Sequence, residues 1–412
     1  STPKPSSAAS DVYKRQVGTD IVVESDAGAE RVRGIYIDGG YGSISSTPDI
    51  QVGGNISASG INTIGIYVSG KNANIKVDGN VTASNRNATG ITTGGTSKIY
   101  VGGDVISSYD NNGTLSYGIS VGAGNDSYVE VAGNIVASGK LTSGVRMGGS
   151  GTNKQIKVGK SVVAGGESSK GIDTNGDGVS AYVAGGSKVQ AGGIVTGSAA
   201  ADSIGVDASN SSVTIVGASS IEGTGSTGVL LRKNDAALTM SGLMTVNGAN
   251  AIGIDIKTSG IKAALDGPGS VQVSGTDAVG IKLGSGTETT IDSWNLNVAD
   301  SSAGAGIELG NNSKLELKNV ASQAAADGVM LRAAGTATVN VDGSSHLVGD
   351  VLHDGTVSGT LALAFAEGSS LTGKVNEQGA GVINLEMDNA VWKLSGDSIL
   401  HQLTLNNGAA VH

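Results

Sequence analysis

The chain contains no cysteine, which excludes disulfide frameworks and thiolate metal sites and leaves no trace of a redox compartment. Proline occurs 4 times in 412 residues beside 68 glycines, and aromatic residues make up 3% with a single phenylalanine. Abundant glycine without a Gly-X-Y period or proline excludes collagen. With so few aromatics, any core has to be thin and aliphatic, built from Val, Ile, Leu and Ala. No apolar run reaches the roughly 18 residues that mark a membrane-spanning helix. The N-terminal "STPKPSSAASDVYKRQ" lacks the apolar centre of a signal peptide, and its "SDVYKRQ" resembles translated adaptor read-through, so residues 1–16 are set aside as non-native or disordered.

Basic residues are also few: 26 Lys and Arg stand against 36 Asp and Glu, a formal net charge of −10, and they are scattered. Nucleic-acid binding needs a basic stripe and is excluded; the acidity reads as solubility. Residues 1–345 contain no histidine, the four being His346, His353, His401 and His412. A serine-protease domain, whose serine needs a histidine base, has no place in that stretch.

What is present is repetition. The stretch "GIYVSGKNANIKVDGNVTASNRNATGITT" begins at Gly65 and returns to Gly-Ile at Gly90. Gly followed by Ile or Val, in matching context, stands at Gly34, Gly65, Gly90, Gly118, Gly144, Gly171, Gly205, Gly228, Gly253, Gly280, Gly306 and nearby at Gly328. The intervals run from 22 to 34 residues. Between these glycines lie alternating segments, "IKVDGNV" from Ile75, "IYVGGDV" from Ile99, "VEVAGNI" from Val129 and "IKVGKSV" from Ile156, the period-2 pattern of strands with one apolar face. Helical spacing is missing, and each interior glycine would cost a helix about 1 kcal/mol.

A unit of this size cannot bury its own apolar face, and stacking on its neighbours solves that. The predicted fold is therefore all-β, one right-handed parallel β-helix with coils of about 27 residues. The repeated glycine is expected at a corner, where a non-glycine residue at positive φ would cost about 1–2 kcal/mol. The repetitive part is expected over 17–343. From 344 to 412 the units shorten toward about 20 residues and larger side chains appear, Phe365 and Trp392 among them, which predicts a different cross-section.

Residues 389–411, "NAVWKLSGDSILHQLTLNNGAAV", resemble the C-terminal end of a pertactin-like autotransporter passenger domain. The family pattern is a Trp, a Thr/Ser-Gly-Asp-Ser turn and then "L..L.L..GA.V". It falls here on Trp392, Ser395, Gly396, Asp397, Ser398, Leu400, Leu403, Leu405, Gly408, Ala409 and Val411. "GSSLTGKV" from Gly368 is similar to the coils that precede it in the family. The resemblance implies a monomeric, non-enzymatic rod at the cell surface or outside the cell, carried across a Gram-negative outer membrane by its own C-terminal β-barrel. It implies an adhesin or other surface factor whose partners are host or neighbouring-cell surface components, with no membrane insertion of this segment. The barrel and folding segment are expected beyond His412 and a signal peptide before Ser1. Absence of cysteine suits export as an unfolded chain, and templated coils suit progressive folding outside.

Other motifs are weighed on their residues. "DTNGDG" matches the start of a calcium loop, with Asp173, Asn175 and Asp177 as alternate oxygen ligands and Gly178 at the turn. The closing position holds Ala184 instead of Glu, and Asp, Asn and Gly also make ordinary turns; calcium is the one cofactor this sequence brings into question. "SGDSIL" at Ser395 reads as a turn, since the glycines that follow a protease serine are missing. Tyr36, Tyr41 and Tyr67, and Tyr100, Tyr109, Tyr117 and Tyr128, could form a sugar-stacking surface. The alternative function is a β-helical polysaccharide lyase or glycoside hydrolase, which needs clustered carboxylates on neighbouring coils. Asp173, Asp207, Asp255 and Glu308 follow Gly-Ile or Gly-Val in four of the twelve units, a spread expected not to make one cluster.

Overall fold

The computed structural model describes residues 14–24, 33–38, 47, 49–69, 72–109, 116–122, 126–148, 153–174, 187–191, 193–197, 201–209, 211–232, 237–257, 262–300, 302–355, 358–376 and 381–412. Among the described residues there is no helix, and the strands sort into three sheets of 16, 16 and 13. Neighbouring strands are parallel throughout, which makes the chain a parallel β-solenoid of about 25 residues per turn. Ala73–Val77, Val81–Ser84 and Thr89–Thr93 form one coil, one strand in each sheet. Ser97–Val101 then pairs directly with Ala73–Val77 and begins the next.

The reason for stacking is visible in the first sheet. One register column runs from Ile50 through Ile75, Ile99, Val129 and Ile156, and onward through Val213, Leu238, Leu265, Ile291, Leu317, Val341, Phe365 and Met387. These side chains are buried, each worth about 1.5–3 kcal/mol in removed apolar surface. A second device holds the corner between the first and second sheets. Asn55 N–H donates to Asp20 Oδ1 at 2.7 Å, Asn80 N–H to Asn55 Oδ1 at 2.8 Å, and Asp104 N–H to Asn80 Oδ1 at 2.7 Å. Asn134 N–H reaches Asp104 Oδ1 at 2.6 Å and Ser161 N–H reaches Asn134 Oδ1 at 3.2 Å. Each carboxamide or carboxylate thereby satisfies a backbone donor that the turn would leave unpaired.

The glycine of Gly-Ile has a different role from the one expected. It lies inside the third-sheet strands, and its φ is ordinary at every coil from Gly65 to Gly306. In Ile64–Ser69, Gly65 and Ile66 are buried in succession, so the strand bends there and turns the glycine inward. A Cβ on Gly90 would lie 2.5 Å from Val81 Cγ1 and 2.7 Å from Gly118 O. Space, not backbone freedom, excludes a side chain. The left-handed residue stands three positions earlier, at Asn62, Asn87, Leu141, Ser168, Asp202, Gly225, Asn250 and Asp277, with φ between 53° and 66°. In the last such coil, the register pairing Ile307 with Leu331 gives the corner to Met330, not to Gly328.

The third sheet ends with Asp350–His353. Beyond it each coil has two strands, as in Val382–Asp388 with Val391–Lys393 and Gln402–Asn406 with Ala410–Val411. The step shortens from 24 residues between Val341 and Phe365 to 18 between Met387 and Leu405. Phe365 and Trp392 fill the narrower section, and Trp392 Nε1 donates to Gly373 O at 3.0 Å. At the other end Lys14–Val17 pairs with Asp49–Val52, so the last residues of the segment set aside above belong to the first sheet.

Lys154 is fully buried; its Nζ donates to Gly148 O at 2.5 Å, and burial pushes its pKa down. A lysine that binds its proton less tightly folded than unfolded lowers stability at neutral pH, and the loss is relieved as pH rises toward its unfolded value. Lys154→Met should therefore raise the thermal midpoint at pH 7, with the advantage shrinking toward about pH 10. Gly90→Ala should cost about 1–3 kcal/mol through overpacking. Gly94→Ala, whose Cβ would have only Val68 O as a neighbour, at 3.8 Å, should leave the circular-dichroism melt unchanged.

Candidate functional site

Strand alternation turns the residue after each inward Ile or Val of the third sheet to the outer face. Coil stacking then places these residues one above another. The outer column reads Tyr36, Tyr67, Thr92, Ser120, Arg146, Asp173, Asp207, Leu230, Asp255, Lys282, Glu308 and Arg332. Asp173 on Lys170–Asp173 and Asp207 on Ile204–Ala208 are direct neighbours on consecutive coils, and Asp255 follows beyond Leu230. The expectation that these carboxylates would be dispersed is thus corrected: Gly171 and Gly205 open successive coils despite the long interval between them.

The three aspartates form the centre of a charge network. Lys170 Nζ lies 3.0 Å from Asp173 Oδ2 and 3.0 Å from Asp207 Oδ2. Arg232 grips the other side of Asp207, Nε at 2.6 Å from Oδ1 and Nη2 at 3.0 Å from Oδ2. This two-pronged bond holds the guanidinium more firmly protonated. Lys257 Nζ sits 3.3 Å from Asp255 Oδ2. The side chains of Asp173 and Asp207 are wholly buried and that of Asp255 is 5% exposed. Burial pushes the Asp255 carboxyl above the usual range, against the pull of Lys257. Farther along, Lys282 pairs with Glu308 at 2.7 Å.

Chemically this is a closed arrangement. Neighbouring strands lie about 4.8 Å apart, close to the carboxyl separation of about 5–5.5 Å in retaining glycosidases. The ammonium of Lys170 stands between Asp173 and Asp207, however, and Arg232 occupies the remaining edge of Asp207. Both side chains are wholly buried, so neither carboxylate is open to a sugar carbon.

Of the calcium ligands, Asp173 is placed, on the third sheet with Lys170 against it, while Asn175, Asp177 and the turn at Gly178 lie outside the described residues. No group of three or more His, Asp or Glu gathers to hold a metal among the described residues. In the "SGDS" turn, Ser398 Oγ accepts the Val375 N–H at 3.0 Å, tying the turn to the coil below. Tyr36 and Tyr67 stack with ring centres 5.3 Å apart and planes 12° from parallel, Tyr100 and Tyr128 meet at 5.7 Å and 50°, and Tyr109 is buried; Tyr41 lies outside the described residues. The Tyr128 hydroxyl is pushed up to about 12 by burial and by its hydrogen bond to Glu130.

Lys170 and Arg232 escaped the sequence reading. Their signal is positional: Lys170 directly precedes its coil's glycine, and Arg232 stands two residues after the outward Leu230. Set against known proteins, the chain matches no protein-family model, and no curated protein matches it.

A carboxyl whose folded pKa is raised destabilises the fold where it is ionised in both states, and the penalty disappears below its unfolded value of about 3.9. Asp255→Asn should therefore raise the thermal midpoint at pH 7, and its advantage over the parent should fade as pH drops through the acid range.

Proposed function

We propose that this chain is the passenger region of a pertactin-like autotransporter: a rigid surface rod, exported through its own C-terminal β-barrel, that acts by adhesion and without catalysis. The observation that carries this reading is the unbroken parallel stacking that runs into the Trp392–Val411 motif. Every coil takes its hydrogen bonds and apolar contacts from the coil beside it, so the fold can be added one turn at a time as chain emerges from a pore. The absence of cysteine in all 412 residues removes the cross-links that would block such passage. Outer loops on a stiff scaffold are free to vary and to carry contacts, and the surface partners would be components of host or neighbouring cells.

The adjacency of Asp173 and Asp207 favours a second reading, a β-helical polysaccharide lyase or hydrolase. Against it stand the burial of both carboxylates, the Lys170 ammonium shared between them and the Arg232 fork on Asp207.

Purified protein is expected to bind cultured epithelial or bacterial cells saturably and to release no reducing ends from acidic or neutral polysaccharides. Indifference to every cell and matrix protein would remove adhesion, and release of reducing ends that vanishes in Asp207→Asn would replace it with the enzyme.

A further inference from the structure

We propose that the outer face of the third sheet between Arg33 and Tyr117 binds an extended polysaccharide bearing carboxylate groups, laid along the rod axis. The inference rests on the adhesive-rod reading and names its ligand class. It begins with Arg33, on the strand Arg33–Asp38. Its guanidinium carbon lies 4.5 Å from the ring centre of Tyr36 and 4.4 Å from that of Tyr67, on the next coil. Among the described residues no carboxylate pairs with it, and its Nε is buried without a hydrogen-bond partner. In a chain of net charge −10, a cation held over two stacked rings, with no acid beside it among the described residues, is suited to receive an anion. Tyr36 is 51% exposed, so an aromatic surface is presented with the charge.

The neighbouring column supplies the polar contacts. Arg33, Ile64, Thr89 and Tyr117 stand one above another on four consecutive coils, a rise of about 14 Å at the usual strand spacing. An open cleft of about 280 Å³ lies beside the first three and is lined as well by Asn62 and Asn87. Asn87 Nδ2 donates to Asn62 Oδ1 at 2.8 Å, which leaves Asn62 Nδ2 to donate and Asn87 Oδ1 to accept. At the far end Arg146 Nη1 donates to the Tyr117 hydroxyl at 3.0 Å and its guanidinium carbon lies 5.2 Å from the ring centre, which fixes this third aromatic in place.

Each component answers one part of an acidic sugar polymer. A tyrosine ring takes the apolar face of a pyranose, the guanidinium fork takes a carboxylate, and the amides and Thr89 take ring hydroxyls. The repeat of the coils gives an extended chain successive contacts at regular rise. A peptide would require deep apolar pockets, and this cleft has Ile64 as its one aliphatic wall.

The test is calorimetric titration of the 412-residue protein with polygalacturonate and hyaluronan oligosaccharides, with dextran and heparin alongside. Salt-sensitive binding of the carboxylated oligosaccharides, with dextran silent and heparin no tighter, supports the proposal. Arg33→Gln and Tyr67→Ala, with melting profiles like the parent's, should each lower that affinity about tenfold, whereas Lys314→Gln on the first sheet should not change it. Binding of heparin alone, no carboxylate binding by folded protein, or an unchanged affinity in Arg33→Gln overturns it. Cell adhesion that survives Arg33→Gln and Tyr67→Ala overturns this ligand and leaves the adhesive rod standing; oligosaccharide binding without cell adhesion leaves this site and removes that reading.

Discussion

Everything in the molecule depends on one contact, made again at each turn: an aliphatic side chain resting on the equivalent side chain of the coil below. A single coil has too little interior to fold alone, so its stability is borrowed from two neighbours. Ile75 is covered because Ile50 and Ile99 flank it in register. The register in turn is strict because a slip of one residue would send the whole column to the solvent face. The side-chain ladder from Asp20 to Ser161 and the crowded corner at Gly65 to Gly306 are consequences of the same geometry. Backbones that must repeat at strand spacing approach one another closely at every corner, where there is room either for a shared hydrogen bond or for no side chain at all.

The coil repeat, the strands and the thinner C-terminal section could be read from the sequence because they follow from alternation and spacing, which are local. The corner chemistry could not. Glycine signals both positive φ and close approach, and Gly90 owes its place to Val81 and Gly118 O, neither of which is near it in the chain. The left-handed residue three positions before it is written variably as Asn, Asp, Ser, Leu or Gly, a pattern recognisable only after the glycine has been fixed. Gly328 misled for a similar reason: it keeps the dipeptide, but the register hands the corner to Met330. The narrowing signalled from residue 344 begins after His353, where the third sheet stops.

The charged cluster illustrates a further limit. Asp173 and Asp207 are 34 residues apart because their coil carries a long insertion, yet in the sheet they are adjacent. Counting residues separates them; counting coils brings them together. Lys170 and Arg232 could then be inferred, since two stacked carboxylates with no exposed surface require cations within hydrogen-bond reach.

The same separation of roles explains how a monotonous fold can carry distinct chemistry. Inward positions are bound by packing, so substitutions there are resisted on all coils alike. Outward positions on the third sheet are less uniformly bound by packing, and their identity changes along the axis: tyrosines at the first coils, hydroxyls next, then from Asp173 onward acids paired with bases, with Leu230 between them. Because register converts one residue per coil into a continuous line, a recognition surface can be lengthened or altered one coil at a time without disturbing the interior. On the reading proposed above, the line of side chains is the unit of recognition on this scaffold, and a ligand matched to it would itself be long and repetitive.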